Sequence, residues 1–149
     1  MLLGGAQLGG GAYADAAGTF RRATGKNSRD WLPHFYLGQA QTSAGNFTQA
    51  QTALQAALDK TEVTEERNRI WSQLGFVYEK QRNFSQAVTA YRRAGDTAGV
   101  QRVESNAEIE RFNTAVEVEK AEIDRLKAEE AALEEQLKKL EEGEIPPRN

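Results

Sequence analysis

Thiol and imidazole groups are almost absent from this chain. Its 149 residues include no cysteine and a single histidine, His34. Cysteine nucleophiles, disulfide bridges and zinc sites built on cysteine or on several histidines are therefore excluded. The lack of cysteine leaves the compartment open, because helical proteins fold without disulfides in oxidising and in reducing surroundings.

Long apolar runs are also missing. No stretch approaches the ~20 apolar residues that a membrane-spanning helix needs. The opening residues 1–5 have neither the basic region nor the sustained apolar run of a secretory signal. We expect a soluble chain without direct membrane insertion, and the cytoplasm is slightly favoured over export.

Charge is unevenly placed along the chain, with an excess of acidic residues in the C-terminal third. Residues 1–99 hold 11 Lys and Arg against 8 Asp and Glu, a net charge of +3, whereas residues 100–149 hold 8 against 14, a net charge of −6. Nucleic-acid binding depends on clustered cations that neutralise phosphates. The acidic C-terminal part and the scattered cations before it indicate that nucleic acid is not a partner.

What the first two-thirds of the chain does have is an internal repeat. The spacing of its Leu-Gly pairs is 34 residues from Leu3 to Leu37 and 37 residues from Leu37 to Leu74, and the extra residues fall in the polar stretch 59–64. Six positions recur in phase: Leu3-Gly4, Leu37-Gly38 and Leu74-Gly75; Gly11, Gly45 and Arg82; Tyr13, Phe47 and Phe84; Ala16, Ala50 and Ala87; Phe20, Leu54 and Tyr91; Ala23, Ala57 and Ala94.

The character of these positions predicts packed pairs of helices. Small residues such as Gly38 and Gly75 recur where two helices must approach closely, and bulky residues fill the space between layers. Turn signals separate the helices. We predict that Asp30, Asn46 and Asn83 act as helix N-caps.

The pattern resembles the tetratricopeptide repeat (TPR), a 34-residue helix–turn–helix unit. The third repeat matches best, with Trp71-x-x-Leu74-Gly75-x-x-Tyr78 in its first helix and Ala87-x-x-x-Tyr91 in its second. The other two repeats depart from the signature, which has Trp where the second repeat has His34 and Tyr where it has Gln41. The resemblance implies an all-α helix–turn–helix solenoid over residues 1–99.

In this interpretation the repeats occupy residues 1–30, 31–66 and 67–99. The first repeat is incomplete, because Met1 falls inside its first helix. We expect the chain to be a fragment or a trimmed boundary of a longer array, with a frayed N-terminal end.

After Gly95 the composition changes to Glu, Lys, Ala and Leu. We predict a capping helix over residues 97–117, an extended charged heptad helix over residues 118–143 and a disordered tail over residues 144–149. With Ile109 at heptad position a, apolar residues fill most a and d positions of this coiled-coil-like helix, interrupted by Glu119 and Glu130. The seam of the later part consists of Ile123, Leu126, Leu133, Leu137 and Leu140.

Two roles remain open for this seam. It pairs with a second copy, giving a homodimer, or with a helix of another protein. Otherwise it belongs to a free, partly frayed helix held by ion pairs such as Glu134–Lys138 and Glu135–Lys139.

Groups for catalysis or metal binding are few. His34 occupies a helix-packing position, and neither a nucleophile nor an orienting acid accompanies it in the sequence. Gly9-Gly10-Gly11 lacks the Lys and Ser or Thr of a phosphate-binding loop. The paired glutamates of the tail have no histidine beside them and indicate a solvated helix face. We predict no catalytic residues, no metal and no cofactor.

The TPR resemblance implies a peptide-binding groove on the first helix of each repeat. Only Arg69 offers a cation there, so a clamp for a C-terminal carboxylate is disfavoured, and the aromatic residues suit an apolar or amphipathic segment. The alternative is that Phe35 or Tyr36 covers a neighbouring repeat. The implied groove residues are Leu32, Phe35, Tyr36, Gln39, Thr42, Arg69, Ser72, Gln73, Phe76 and Glu79.

The resulting expectation is a non-enzymatic adaptor or scaffold. Its groove would hold a protein or peptide partner, and its C-terminal helix would mediate self-association or assembly. The alternative is a structural subunit of a larger complex, in which the helix and not the groove makes the contacts.

Overall fold

The computed structural model describes residues 12–26 and 29–143, and these residues form helices joined by short turns. The predicted all-α, repeat-like fold with a long C-terminal helix is confirmed. No strand occurs in the described ranges. The helices are α1 (Tyr13–Lys26), α2 (Trp31–Ser43), α3 (Phe47–Leu58), α4 (Thr64–Lys80), α5 (Phe84–Arg93) and α6 (Thr97–Glu141).

Aspartate and asparagine side chains begin three of these helices. The carboxylate of Asp30 accepts a hydrogen bond from the amide of Leu32 at 3.0 Å, and that of Asp96 accepts one from Gly99 at 2.8 Å. Asn83 caps α5 through the amide of Gln86. Each bond satisfies a backbone donor that the first turn of a helix leaves without a partner.

Asn46 occupies the N-cap position of α3, as predicted, but its side chain does not serve as the cap. Its amide group instead donates to the side-chain oxygen of Gln41 at 2.9 Å. The residue therefore ties α3 back to the helix before it and leaves the first turn of α3 without a side-chain acceptor.

Three turns between helices share the same backbone conformation and hydrogen bond. Gly45, Arg82 and Gly95 adopt φ values of 81°, 61° and 69°. The amide of the next residue bonds back to a carbonyl five positions earlier, for example Asn46 to Gln41 at 2.8 Å and Asn83 to Tyr78 at 2.9 Å. These bonds form the Schellman motif, which satisfies the last carbonyls of a helix and reverses the chain.

Two glycines allow the helices of a pair to meet closely. A Cβ atom added at Gly38 would lie 2.5 Å from the side chain of Leu54, and one added at Gly75 would lie 2.8 Å from the ring of Tyr91. Both partners are buried. Because the two contacts involve equivalent positions 37 residues apart in the sequence, the same packing geometry occurs in both helix pairs.

The buried apolar residues follow the helices in order. A central cluster joins α2, α3 and α4 around Leu54, Leu58 and Ile70. A second cluster places Phe20 of α1 against α2. A third places Tyr91 of α5 against Val103 of α6. Successive helices thus bury one another in layers.

The longer spacing between the second and third helix pairs has a structural explanation. Residues 59–63 form a connection held from within, because the buried Thr61 hydroxyl donates to Glu66 and accepts from the amide of Val63. Arg67 donates to the carbonyl oxygens of Leu58 at 2.9 Å and Thr61 at 2.8 Å. The inserted residues therefore form an ordered link.

The chain has two compact units, Met1–Asn106 and Ala107–Asn149. In the first unit, the start of α6 packs on α5 through Val100 and the fully buried Val103. The second unit is mainly the remainder of α6, a single helix that ends at Glu141 before Gly143. The unit boundary lies inside the segment 97–117 for which a capping helix was predicted. The predicted N-terminal fraying and the tail at 144–149 lie outside the described residues.

Replacing Gly75 with alanine should destabilise the first unit by about 1–3 kcal/mol, because the new methyl group would overlap the buried Tyr91 ring. Chemical denaturation followed by circular dichroism measures the effect. Gly18→Ala is the matched control. It adds the same methyl group within α1 where no heavy atom lies within 4 Å, and should stabilise by up to about 1 kcal/mol. Equal effects of the two variants would contradict the close approach at Gly75.

Candidate functional site

An open groove of about 560 Å3 lies on the first unit, along the exposed side of α2 and α4 and the end of α5. Six of the ten predicted groove residues line it: Phe35, Gln39, Arg69, Ser72, Gln73 and Phe76. The structure thus brings one group of the predicted residues together around a single depression. Five further residues complete the lining: Asn68, Tyr91, Ala94, Asp96 and Arg102.

The other four predicted residues do not line this groove. Leu32 packs partly buried against the central cluster. Tyr36 stacks on the ring of Phe20 with centroids 5.3 Å apart, so it covers the preceding helix. Thr42 is buried and its hydroxyl donates to the Gly38 carbonyl at 2.7 Å. Glu79 is committed to an ion pair described below.

Phe35 forms the floor of the groove. Only 4% of its surface is exposed, and its ring makes edge contacts with Trp31 at 5.6 Å and Tyr36 at 5.8 Å between centroids. Most of its surface is therefore used in the core. A substitution of Phe35 would remove packing as well as groove surface.

Arg69 lies across the aromatic residues of α2. Its guanidinium carbon is 5.4 Å from the centroid of Trp31 and 5.2 Å from that of Phe35, within the range of cation–π attraction. Arg69 itself is exposed. The cation is held at the groove wall by the two rings, with its donors available to a ligand.

Phe76 is the aromatic side chain of the groove that remains open to solvent, with 39% of its surface exposed. The ammonium of Lys80 lies 5.1 Å from its ring centroid. Near it, the amide side chains of Gln39, Asn68 and Gln73 have no hydrogen-bond partner within the described part of the chain. This wall therefore combines an apolar surface with uncommitted amide donors and acceptors.

A network of Glu79, Tyr91 and Arg102 closes the other side. Arg102 donates to both carboxylate oxygens of Glu79 at 3.2 Å, and the Tyr91 hydroxyl donates to Glu79 at 2.9 Å. Arg102 also donates to the Tyr91 oxygen at 3.0 Å. The network joins three helices, since its members come from α4, α5 and α6.

The network shifts the titration of its members. Burial alone would raise the pKa of the Glu79 carboxyl, but hydrogen bonds from Arg102 and Tyr91, together with the charges of Arg102 and Lys80, hold the pKa below its ordinary value. The pKa of the Tyr91 hydroxyl is raised, first by burial and then by its bond to the Glu79 carboxylate. Glu79 therefore stays ionised and Tyr91 stays protonated near neutrality.

Sequence reasoning missed the part of the lining that comes from outside the first helices of the repeats. Asn68 lies four residues before Ser72 and so on the same face of α4, and this spacing could have suggested it. Arg102 is 23 residues from Glu79 in sequence, and no periodic signal links the two. Asp96 was recognisable only as the cap of α6.

His34 stands apart from the groove lining. Its Nε2 atom is buried and has no hydrogen-bond partner within residues 12–26 and 29–143. Burial first, and then the positive charge of Lys60, lowers the pKa of the imidazole. No cluster of three or more potential metal-ligating side chains occurs in the described ranges.

The heptad seam forms an exposed apolar stripe on the second unit. Ile123, Leu126, Leu133, Leu137 and Leu140 each have between 45% and 64% of their surface exposed. Large aliphatic side chains are usually buried. Five exposed ones on one helix face form an apolar surface of the kind that marks interaction sites.

Ion pairs within α6 differ from those predicted. Arg125 pairs with Glu122 and Glu129, and Lys120 pairs with Glu117. The predicted pairs Glu134–Lys138 and Glu135–Lys139 are not formed, although the structure describes all four residues. The exposed charges beyond residue 130 are therefore not tied to one another along the helix.

No protein-family model matches the chain, and a comparison with curated proteins returns no relative. No helix within the described ranges is both long and apolar enough to cross a membrane.

Replacing Glu79 with glutamine should lower the free energy of unfolding at pH 7 by about 1–2 kcal/mol, because the charged hydrogen bonds to Arg102 are weakened while the side-chain volume is kept. The pKa of Glu79 is depressed in the folded state, so its contribution is present above the ordinary value of 4.5 and is lost as pH falls below it. Unfolding titrations from pH 7 to pH 3 should therefore show a shallower acid loss in the variant.

Glu122→Gln is the control for this titration. Glu122 also pairs with an arginine, but on the exposed face of α6. Its removal should leave stability and acid sensitivity nearly unchanged. The same acid profile for wild type and Glu79→Gln would contradict the role given to the Glu79–Tyr91–Arg102 network.

Proposed function

We propose that this chain is a non-enzymatic adaptor of the TPR type, whose groove holds an apolar or amphipathic segment of another protein. The observation that carries the proposal is the groove wall where exposed Phe76 stands beside uncommitted amide side chains. A bound segment would place an apolar side chain on the Phe76 ring. Its backbone would meet the amides of Gln39, Asn68 and Gln73.

The charges of the groove favour this type of ligand. Arg102 is neutralised by Glu79, and Asp96 is engaged with the amide of Gly99. That leaves Arg69 as the lining cation without an ion pair in the described ranges. A free C-terminal carboxylate is usually held by several cations and amides at once, so an internal segment with apolar anchors fits better.

Membership of the TPR family is part of the proposal. It is supported by the sequence signature of the third repeat and by the equivalent glycine contacts of Gly38 with Leu54 and Gly75 with Tyr91. The sequence-based predictions of a soluble protein without catalysis or cofactor, which has no nucleic-acid partner, belong to the same proposal.

A second candidate function is favoured by the exposed seam of α6. In that case the chain is a structural subunit, and the contacts of the assembly are made by Ile123, Leu126 and the three seam leucines that follow. The exposure of these side chains is the specific support, because their burial against another helix would remove a large apolar surface from water. The adaptor function needs the groove of the first unit, whereas the structural function needs the exposed seam of the second unit.

The double variant Phe76→Ala with Gln73→Ala tests the groove. Peptides are first selected from a displayed library of random sequences against the whole chain, and their affinity is then measured by titration calorimetry. Loss of the Phe76 surface should weaken binding by about tenfold or more, since burying a phenylalanine contributes about 1.5–3 kcal/mol. Phe35 is left unchanged because it belongs to the core.

Val63→Ala is the matched control, because Val63 is an exposed apolar side chain outside the groove lining. It should leave peptide affinity unchanged. If the double variant, shown to be folded by circular dichroism, bound the selected peptides as tightly as wild type, the groove would not be the binding site.

Removal of residues 118–149 separates the two candidate functions. The shortened chain keeps the start of α6 that packs on α5. An adaptor should still capture its partner from an extract of the source cell, with mass spectrometry as the readout, whereas a structural subunit should lose its assembly. Loss of every captured protein by a shortened chain that still unfolds cooperatively would overturn the groove as the main contact.

A further inference from the structure

The seam of α6 has features that select its partner. Its five large aliphatic side chains lie on one face of a helix whose remaining positions are mostly charged. In a two-stranded coiled coil, positions a and d meet across the interface, and the flanking e and g positions set orientation and partner by charge. The charges that flank the seam therefore determine in which orientation a second copy of the same helix fits.

A parallel pair of copies is disfavoured by its charges. Each residue of the seam would then face its own counterpart, so Glu130 would meet the partner's Glu130 in the interface. At the flanks, Glu122 would lie near the partner's Lys127, but Glu129 would lie near the partner's Glu134. The like-charge contacts at least offset the favourable one.

An antiparallel pair centred between residues 131 and 132 lessens these conflicts. In this register Ile123 meets the partner's Leu140 and Leu126 meets the partner's Leu137. Leu133 meets the partner's Glu130, so the two Glu130 residues lie in neighbouring layers, about 4.5 Å apart along the axis, and do not face each other. Each a position then packs beside a d position of the other copy, as antiparallel helices require.

The flanking charges of this register are complementary. The e positions are Lys120, Lys127, Glu134 and Glu141. Lys120 comes level with the partner's Glu141, and Lys127 comes level with the partner's Glu134, each to within two residues or about 3 Å along the axis. By symmetry the interface contains four Lys–Glu pairs.

Neighbouring antiparallel registers lose this match. A shift of one heptad in one direction places Lys127 beside the partner's Lys127. The same shift in the other direction places Glu134 beside the partner's Glu134. Repulsion between like charges at flanking positions disfavours both alternatives.

We propose that residues 120–141 pair with the same residues of a second copy, antiparallel and centred between Ala131 and Ala132. The proposal rests on the self-association part of the proposed function and adds its orientation and register. The lack of ion pairs within the helix at Glu134 and Lys138 agrees with it, because Glu134 remains available to the other copy.

Disulfide trapping in the full chain tests orientation and register together. Since the chain has no cysteine of its own, single variants give an unambiguous result. Ile123→Cys and Leu140→Cys, one of them carrying a tag that changes its mass, are oxidised separately and as a mixture. A disulfide needs Cα atoms within about 7 Å, whereas two copies of residue 123 in the antiparallel pair are about 26 Å apart along the axis.

The expected result is a mixed disulfide between the two variants, at least about tenfold above either homodimeric disulfide. Ala128→Cys, at an outward heptad position, is the control and should not cross-link. Homodimeric disulfides of each variant alone would mean a parallel pair, which would overturn the proposal but leave self-association standing. No cross-link above the Ala128→Cys level, with a monomeric wild type in sedimentation, would overturn self-association as well.

Discussion

The first unit depends on bulky side chains pressed against glycine. The ring of Tyr91 lies between Gly75 of α4 and Gly99 of α6, and an added Cβ at either glycine would come within 2.8 Å of the ring. Leu54 meets Gly38 in the same manner one helix pair earlier. Where a glycine lets a ring or a branched chain lie flat on a helix backbone, dispersion contacts are gained without distortion of either helix. The positions of these glycines in the sequence therefore set where, and how closely, the paired helices cross.

This packing also positions the groove. The buried ring of Tyr91 holds its hydroxyl at the groove edge, where it meets Glu79 and Arg102. Glu79 is 15% exposed and Arg102 is 50% exposed, so the pair stands between the core and solvent. A charged network in such a place contributes modestly to stability, but it fixes the orientation of three helices. The groove shape is thus linked to core packing through one phenol group.

Much of the fold could be predicted from the sequence because its signals are local. Glycine and large residues at a repeating distance predicted paired helices, and the long heptad pattern predicted the final helix.

The lining of the groove could be predicted from the sequence only in part. Thr42 and Glu79 are equivalent in register, yet the buried Thr42 hydroxyl bonds to its own helix, while the Glu79 carboxylate accepts hydrogen bonds from Arg102 of α6. Partners from a later helix, such as Arg102, depend on tertiary packing that periodicity does not report. The N-cap position of Asn46 was predicted, but the hydrogen bond that its side-chain NH2 donates to Gln41 of the preceding helix was not.

The layered order of the helices affects how the first unit unfolds. The turns after α2, α3, α4 and α5 are closed by bonds spanning a few residues, and the helices of the first unit bury their apolar faces mainly against the helices next to them in the chain. Free energy is therefore distributed along the array as a series of interfaces between neighbours. Helix α4 packs against α3 and α5, so its opening disrupts two of these interfaces at once. Within the first unit, the amides that exchange most slowly should therefore lie in helices with packed neighbours on both sides.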